Sequence, residues 1–176
     1  MGDFTTSADE VIAVVDDKDE IMGKAKRRDV HTKGLLHREC FVYIINPKKQ
    51  VLLQKRADSH KWDHSVGCHF APEESYIEAA QRETEEEIGI KLSPGDFSKI
   101  GFDRFESSKP GRINRRFATT FLVRKDIPLE DLKIDRSALE EIKYFSRQQL
   151  KELMKRKDQI TSPAVFVLDK YILKLL

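Results

Sequence analysis

Glu83, Glu86 and Glu87 are the residues whose type and spacing most directly suggest chemistry. Positions i, i+3 and i+4 share one face of a helix, so the three carboxylates crowd each other, and Glu85 adds a fourth. They also fall in the last two turns of a helix expected over Tyr76–Ile88, where the negative end of the helix dipole disfavours each anion by ~0.3–1 kcal/mol. A stretch that breaks two local rules at once is a candidate for function. The simplest missing partner is a hard divalent cation, because Mg²⁺ takes carboxylate oxygens and usually keeps waters for a substrate phosphate. The competing reading is a solvated acidic face.

A second set of residues is basic. Lys109, Arg112, Arg115 and Arg116 form a run without an acid; the planar forks of the arginines suit phosphate oxygens, while the plainer reading is a solvated hairpin loop. Arg56, at a strand end, has the same claim on a phosphate. His69 stands close to the acidic segment and is a candidate substrate contact. His31 and His37 read as polar surface or capping residues in a linker, and Cys40 as a small buried apolar residue.

The elements that must position these groups follow from periodicity and punctuation. Val11–Val15 and residues 20–26 flank an Asp-rich turn and pair as an N-terminal hairpin. Phe41–Ile45 and Gln50–Lys55 are apolar strands around an Asn46-Pro47 turn. Ser75 and Glu78 make a capping box for the acidic helix, Gly89 suits its C-terminal cap, and Ile77, Ala80, Thr84 and Ile88 fall within roughly 80° of one another on its core face. Strands are expected at residues 99–105, 116–123 and 142–145, with a loop at residues 107–111, then a helix capped by Ser146 and Gln149 and a last helix opened by Ser162-Pro163. Helices late and hairpins early give a mixed α/β (α+β) arrangement, a mixed sheet between helices. Residues 1–8 are expected to be a tail and residues 9–176 one domain.

The composition, 39% hydrophobic and 35% charged, is that of a charge-rich globular chain. A net charge of +2 is too small to argue for bulk nucleic-acid binding, and none is expected, although seven glutamates against one arginine between Glu73 and Glu87 and four cations between Lys109 and Arg116 form two opposite patches. No apolar run approaches the ~18 residues of a membrane helix. Two cysteines without metal-type spacing and no signal peptide make the cytoplasm the default location.

The segment Cys68-x5-Glu74-x7-Arg82-Glu83-Thr84-Glu85-Glu86-Glu87-Ile88-Gly89-Ile90 resembles the Nudix hydrolase signature G-x5-E-x7-R-E-U-x-E-E-x-G-U, in which U is aliphatic. It departs from it at Cys68, where the pattern has glycine, and at Thr84, where it has an aliphatic residue; Glu73 also stands where relatives commonly have glycine. The resemblance implies a Nudix-type α/β/α sandwich and a Mg²⁺-dependent hydrolase, with Mn²⁺ as the alternative ion, cleaving the phosphoanhydride bond of a small-molecule diphosphate, a nucleoside-diphosphate-linked or related metabolite. It implies metal ligation by Glu86 and Glu87, metal binding or water orientation by Glu83, support from Arg82 and Glu74, and a contribution from the Cys68 carbonyl. Glu141, or its neighbour Glu140, would be the later glutamate that some members use as a base. The substrate, the number of ions and the oligomeric state, a homodimer included, stay open.

Outside that segment, residues 14–23, His31, residues 35–38, residues 52–56 and residues 65–69 resemble the branch that contains isopentenyl-diphosphate isomerases. Those enzymes bind metal through several His and Glu, and His31, His37 and His69 lie near the corresponding histidines. Their catalytic cysteine falls at Gly67 here, with Cys68 one residue late, and their glutamate pair falls at Asn114-Arg115-Arg116, which has no acid. A hydrolase is therefore expected, with an isomerase or a non-catalytic Nudix-fold sensor as the alternatives.

Overall fold

A computed structural model describes residues 8–69 and 71–176. Strands β1 (Val11–Val15) and β2 (Ile21–Lys26) form the expected hairpin, its turn tied by Asp16 Oδ1, which accepts the Lys18 and Glu20 N–H groups at 2.8 and 3.0 Å. Of the tail expected over residues 1–8, only Ala8 is among the described residues; its carbonyl accepts the Arg28 N–H at 3.1 Å.

The segment expected to be a linker holds helix α1 (Arg27–Lys33), which closes on Gly34 at φ 66°. Strand β3 then runs from Leu36 to Ile45, five residues longer at its start than the apolar run suggested. It is the centre of the sheet. Strand β4 (Val51–Arg56) turns back from it, β5 (Trp62–Asp63) follows, and β6 (Val66–His69) pairs antiparallel with β3. After helix α2 (Tyr76–Ile88) come the long strands β7 (Phe97–Lys109) and β8 (Arg112–Arg124). Their pairing continues to Lys109 opposite Arg112, so most of the loop expected at residues 107–111 is strand. β8 lies parallel to the whole of β3, from Leu36 beside Arg115 to Ile45 beside Arg124. Strand β9 (Leu139–Phe145) pairs antiparallel with β4. Helices α3 (Arg147–Lys155) and α4 (Ser162–Val167) close the chain, the last continuing as a wider π turn over Leu168–Ile172.

Alternation along β3 makes two apolar layers, since successive side chains of a strand point to opposite faces. Cys40, Val42 and Ile44 join Ala79, Ala80 and Ile88 of α2 in one core. Phe41, Tyr43 and Ile45 join Leu150, Leu153, Ala164 and Val167 of α3 and α4 in the other. The result is an α/β/α sandwich, as the sequence suggested. Cys40 is buried, but it is disulfide-bonded rather than a free thiol. Among the described residues no helix is long and apolar enough to cross a membrane.

Candidate functional site

Helix α2 is fixed at both ends. Ser75 and Glu78 form the capping box, and Gly89 adopts φ 73°, where a Cβ would lie 2.7 Å from Lys133 Cβ. Ala79, Ala80, Thr84 and Ile88 are buried. Thr84 fits a position that would take an aliphatic side chain because its hydroxyl donates to the Ala80 carbonyl at 2.6 Å, within its own helix. With that face against the sheet, Arg82, Glu83, Glu86 and Glu87 line a cleft of about 730 Å³.

Arg82 organises the acids. Its Nε and Nη2 donate to the two oxygens of Glu74 at 2.6 and 3.0 Å, and its Nη1 to Glu83 and Glu86 at 2.8 and 2.9 Å. Glu87 turns elsewhere: it accepts from the Gly67 N–H and from Gln54, and its Oε2 is buried without a hydrogen-bond partner. Burial pushes the Glu87 carboxyl up to about 8, with Glu83 adding to the shift and Arg56 opposing it. Burial also pushes Glu83 up to about 7, against the pull of Arg82. Glu10, just ahead of β1, lines the same cleft, and its carboxyl is raised first by burial, with Glu74 and Glu86 contributing. No sequence signal marks Glu10, because the hairpin brings it in from more than sixty positions away.

A carboxyl whose pKa is raised on folding stabilises the protein fully below its unfolded value and loses that contribution as pH rises through the folded value. For Glu83 and Glu87 the loss falls between the ordinary glutamate range and about 7 to 8. The metal-free protein should therefore melt at a progressively lower temperature from about pH 5 to about pH 8.5, and added Mg²⁺ should restore more of the loss at the upper end. Scanning calorimetry with and without the ion checks this. A flat profile that Glu87→Gln leaves unchanged would show that neither carboxyl is so perturbed.

The basic residues enter the cleft in different states. Arg112 lines it and has no hydrogen-bond or ion-pair partner among the described residues; burial lowers its pKa, as do Arg27 and Arg56. Arg56 lines it too, but is held by both oxygens of Asp58 at 2.9 and 2.8 Å. Arg116 is 5% exposed, and its Nε pairs closely with Glu39 Oε2. Cys68 lies in β6 between Gly67 and His69, both of which line the cleft. Glu141 and Glu140 do not line it. Glu141 is paired with Lys143 at 3.2 Å and Glu140 with Lys55 at 3.0 Å, on the outer part of β9.

The histidines are the main correction. His31 and His37 are 7% and 0% exposed, not surface or capping residues. With His69 they form a cluster whose ligand atoms all lie within 4.8 Å of one another. The His31 Nδ1 sits 2.9 Å from the Arg27 carbonyl and the His37 Nδ1 3.1 Å from the Leu35 carbonyl, which fixes a proton on Nδ1 and leaves Nε2 as a lone pair. The Nε2 atoms of His31 and His37 are buried without a hydrogen-bond partner, whereas His69 Nε2 meets Glu39 Oε1 at 2.9 Å. Burial pushes His31 down to about 4 and His69 down to about 3. Two buried imidazoles with free Nε2 lone pairs, and a third beside a carboxylate, fit a divalent ion of the kind nitrogen ligands favour. Among the described residues this is the one group of three that brings its ligand atoms so close. Glu39 stands beside it, its Oε1 2.9 Å from His69 Nε2 and 3.8 Å from His37 Nε2.

The chain is similar to known proteins in sequence and in fold. The family model for the NUDIX domain matches residues 35–165. The chain is 37% identical over 99 residues to an uncharacterised Nudix hydrolase of Streptomyces coelicolor, covering 53% of this chain and 55% of that protein, so it spans about half of that relative's length. It is 30% identical over 172 residues to isopentenyl-diphosphate delta-isomerase 2 of Homo sapiens, covering 84% of this chain and 74% of that one. In fold it is similar to the crystal structure of DR0079 from Deinococcus radiodurans, with a TM-score of 0.71 at 18% identity over 92% of this chain and 98% of that chain.

Proposed function

The chain belongs to the Nudix family, and from that premise we propose that it is a divalent-cation-dependent hydrolase that splits a phosphoanhydride bond in a small diphosphate-containing metabolite. The observation that carries this reading is one cleft with two poles: the carboxylates of Glu83, Glu86 and Glu87, and the unpartnered guanidinium of Arg112. A diphosphate needs both, one end held by cations of the protein and the other by an ion that carboxylates hold.

Glu86 and Glu87 would hold Mg²⁺, with Mn²⁺ as the alternative, and Glu83 would stand beside the ion, facing the attacking water. That ion would neutralise charge on the diphosphate and acidify a water. Glu83, poised near neutrality, takes the proton of the attacking water as general base. Arg82 holds the Glu83 carboxylate in place and, through Glu74, ties it to the residue-71 turn, where the Ala71 N–H donates to Glu74 Oε2 at 3.1 Å. Arg112 takes the outer phosphate; Arg56, His69 and Arg116 line the same cleft and bound the remaining part of the substrate. Few aromatic faces line the cleft, and Phe41 is already stacked on His64 with ring centroids 3.7 Å apart. The chain is read as acting on a small molecule.

The test is a panel of nucleoside-diphosphate-linked and other diphosphate metabolites in ¹⁸O-water, with and without Mg²⁺. Mg²⁺-dependent cleavage with ¹⁸O in a phosphate product is expected. Binding of several members without cleavage of any would overturn the hydrolase reading and favour a sensor. The histidine cluster favours a second reading, an isomerase.

A further inference from the structure

The three histidines bring their ligand atoms together, and the nearby stretch Asn114-Arg115-Arg116 carries no acid to complete the shell of an ion there. The register of β3 explains what has taken its place. Glu39 lies directly opposite His69 on β6, and His37 lies directly beside Arg116 on β8. Two residues apart on one strand, His37 and Glu39 point to the same face. The sheet thus gathers three imidazoles, one carboxylate and one guanidinium at a single spot, and all but His31 come from three adjacent strands.

We infer that Glu39 is the carboxylate ligand of the histidine pocket and that Arg116 is its built-in competitor, so that an ion entering the pocket releases Arg116 towards the substrate cleft. Glu39 is buried, and its two oxygens divide their attention: Oε1 faces His69 and His37, Oε2 pairs with Arg116. A cation seated among the three Nε2 atoms draws on the same carboxylate and repels the guanidinium. Arg116 has somewhere to go. It already lines the cleft that holds Arg112, and its buried Nη1 has no hydrogen-bond partner. Without the ion, Arg116 neutralises Glu39; with it, Arg116 becomes a second free cation for a phosphate. Ion occupancy at the histidines would then set the affinity for anionic substrate. The phosphate-binding consequence rests on the diphosphate reading of the cleft, whereas the ligand role of Glu39 does not.

The experiment uses the full chain with Mg²⁺ in excess to fill the carboxylate site, and Co²⁺ as the probe of the histidines, read by its visible absorption. The wild type should bind one further Co²⁺ with intense bands, and His31→Gln should abolish them. Glu39→Gln should weaken Co²⁺ binding by roughly ten- to a hundredfold, the range for groups that tune a metal site. Arg116→Met should tighten it. Should that variant fail to fold with Glu39 uncompensated, the double variant Glu39→Gln/Arg116→Met removes both charges and should bind Co²⁺ as Glu39→Gln does. Methylenediphosphonate, a diphosphate that cannot be hydrolysed, should bind the wild type several-fold more tightly once Co²⁺ is present, and the double variant indifferently. Co²⁺ affinity unchanged by Glu39→Gln would overturn the ligand assignment. Methylenediphosphonate affinity indifferent to Co²⁺ in the wild type would overturn the release of Arg116. Neither outcome depends on turnover, so a failure of the hydrolase reading would register separately.

Discussion

Glu83→Gln should lower kcat by roughly 10²- to 10⁴-fold, the range for loss of a positioned general base, while the affinity for substrate changes little. The substitution keeps the size of the side chain and leaves an oxygen that can accept from Arg82 Nη1, now 2.8 Å from Glu83 Oε1. It removes the negative charge and the site that accepts a proton. Because the interaction is made with the attacking water and not with the bound diphosphate, kcat and kcat/KM should fall together. Glu87→Gln should behave differently. Its carboxylate faces Gly67 and Gln54, away from Arg82, so the loss should appear first as a higher Mg²⁺ requirement that more ion partly overcomes. Steady-state kinetics across a Mg²⁺ titration separates the two. Near-normal kcat in Glu83→Gln would take Glu83 out of the proton transfer and point to Glu10, the other cleft carboxyl raised by burial.

The acidic half of this site was legible in the sequence because one helix carries it. A capping box, a terminal glycine and a 3.6-residue period place Glu83, Glu86 and Glu87 on the cleft side without reference to the rest of the chain. The paired layers of β3 were legible for the same reason, from local alternation. What stayed hidden depends on pairing between distant strands. His37 and Glu39 precede the apolar run at Phe41, and polar residues ahead of such a run read as linker. In the structure β8 lies parallel along β3 from Leu36 onwards and carries the strand back to include them. The pattern His37-x-Glu39-x-Phe41 was a period-two signal in its own right. α1 escapes a sequence reading because six of its seven residues are polar, Val30 being the exception, and its start is uncapped by a side chain; a helix that short is held by tertiary contact rather than propensity. Glu141 rested on the family resemblance alone, and β9 carries it beside Lys55 and Lys143, away from the cleft lining.

Isopentenyl diphosphate with Mg²⁺, and Co²⁺ at the histidines, should give no dimethylallyl diphosphate. The histidine cluster and the likeness to the human isomerase make this the sharpest test of the alternative, since a metal-competent pocket is only part of what allylic isomerisation needs. One group must protonate the double bond and another must remove a proton from the far side. The isomerase cysteine position is Gly67, whose N–H is given to Glu87; a Cβ there would stand 3.4 Å from His64 Cδ2, against a ring already stacked on Phe41. On β8 the cleft is lined by Asn114 and Arg116. An amide is no base, and a guanidinium keeps its proton at any pH an enzyme meets, with a pKa above ~12. Glu39 is the nearest carboxylate to the histidines. Burial pushes its carboxyl up, but Arg116 and His69 outweigh that and hold it well below the ordinary range, so it is the counter-ion of Arg116 rather than a proton acceptor. Hydrolysis asks for less: an ion, a water and one carboxyl titrating near neutrality, and Glu83 provides the last. The assay is proton NMR of the reaction in ²H₂O, where isomerisation would place deuterium in the product. Clear isomer formation, lost in Cys68→Ser and retained in Glu83→Gln, would reverse the assignment and move the chemistry from the acidic helix to β6.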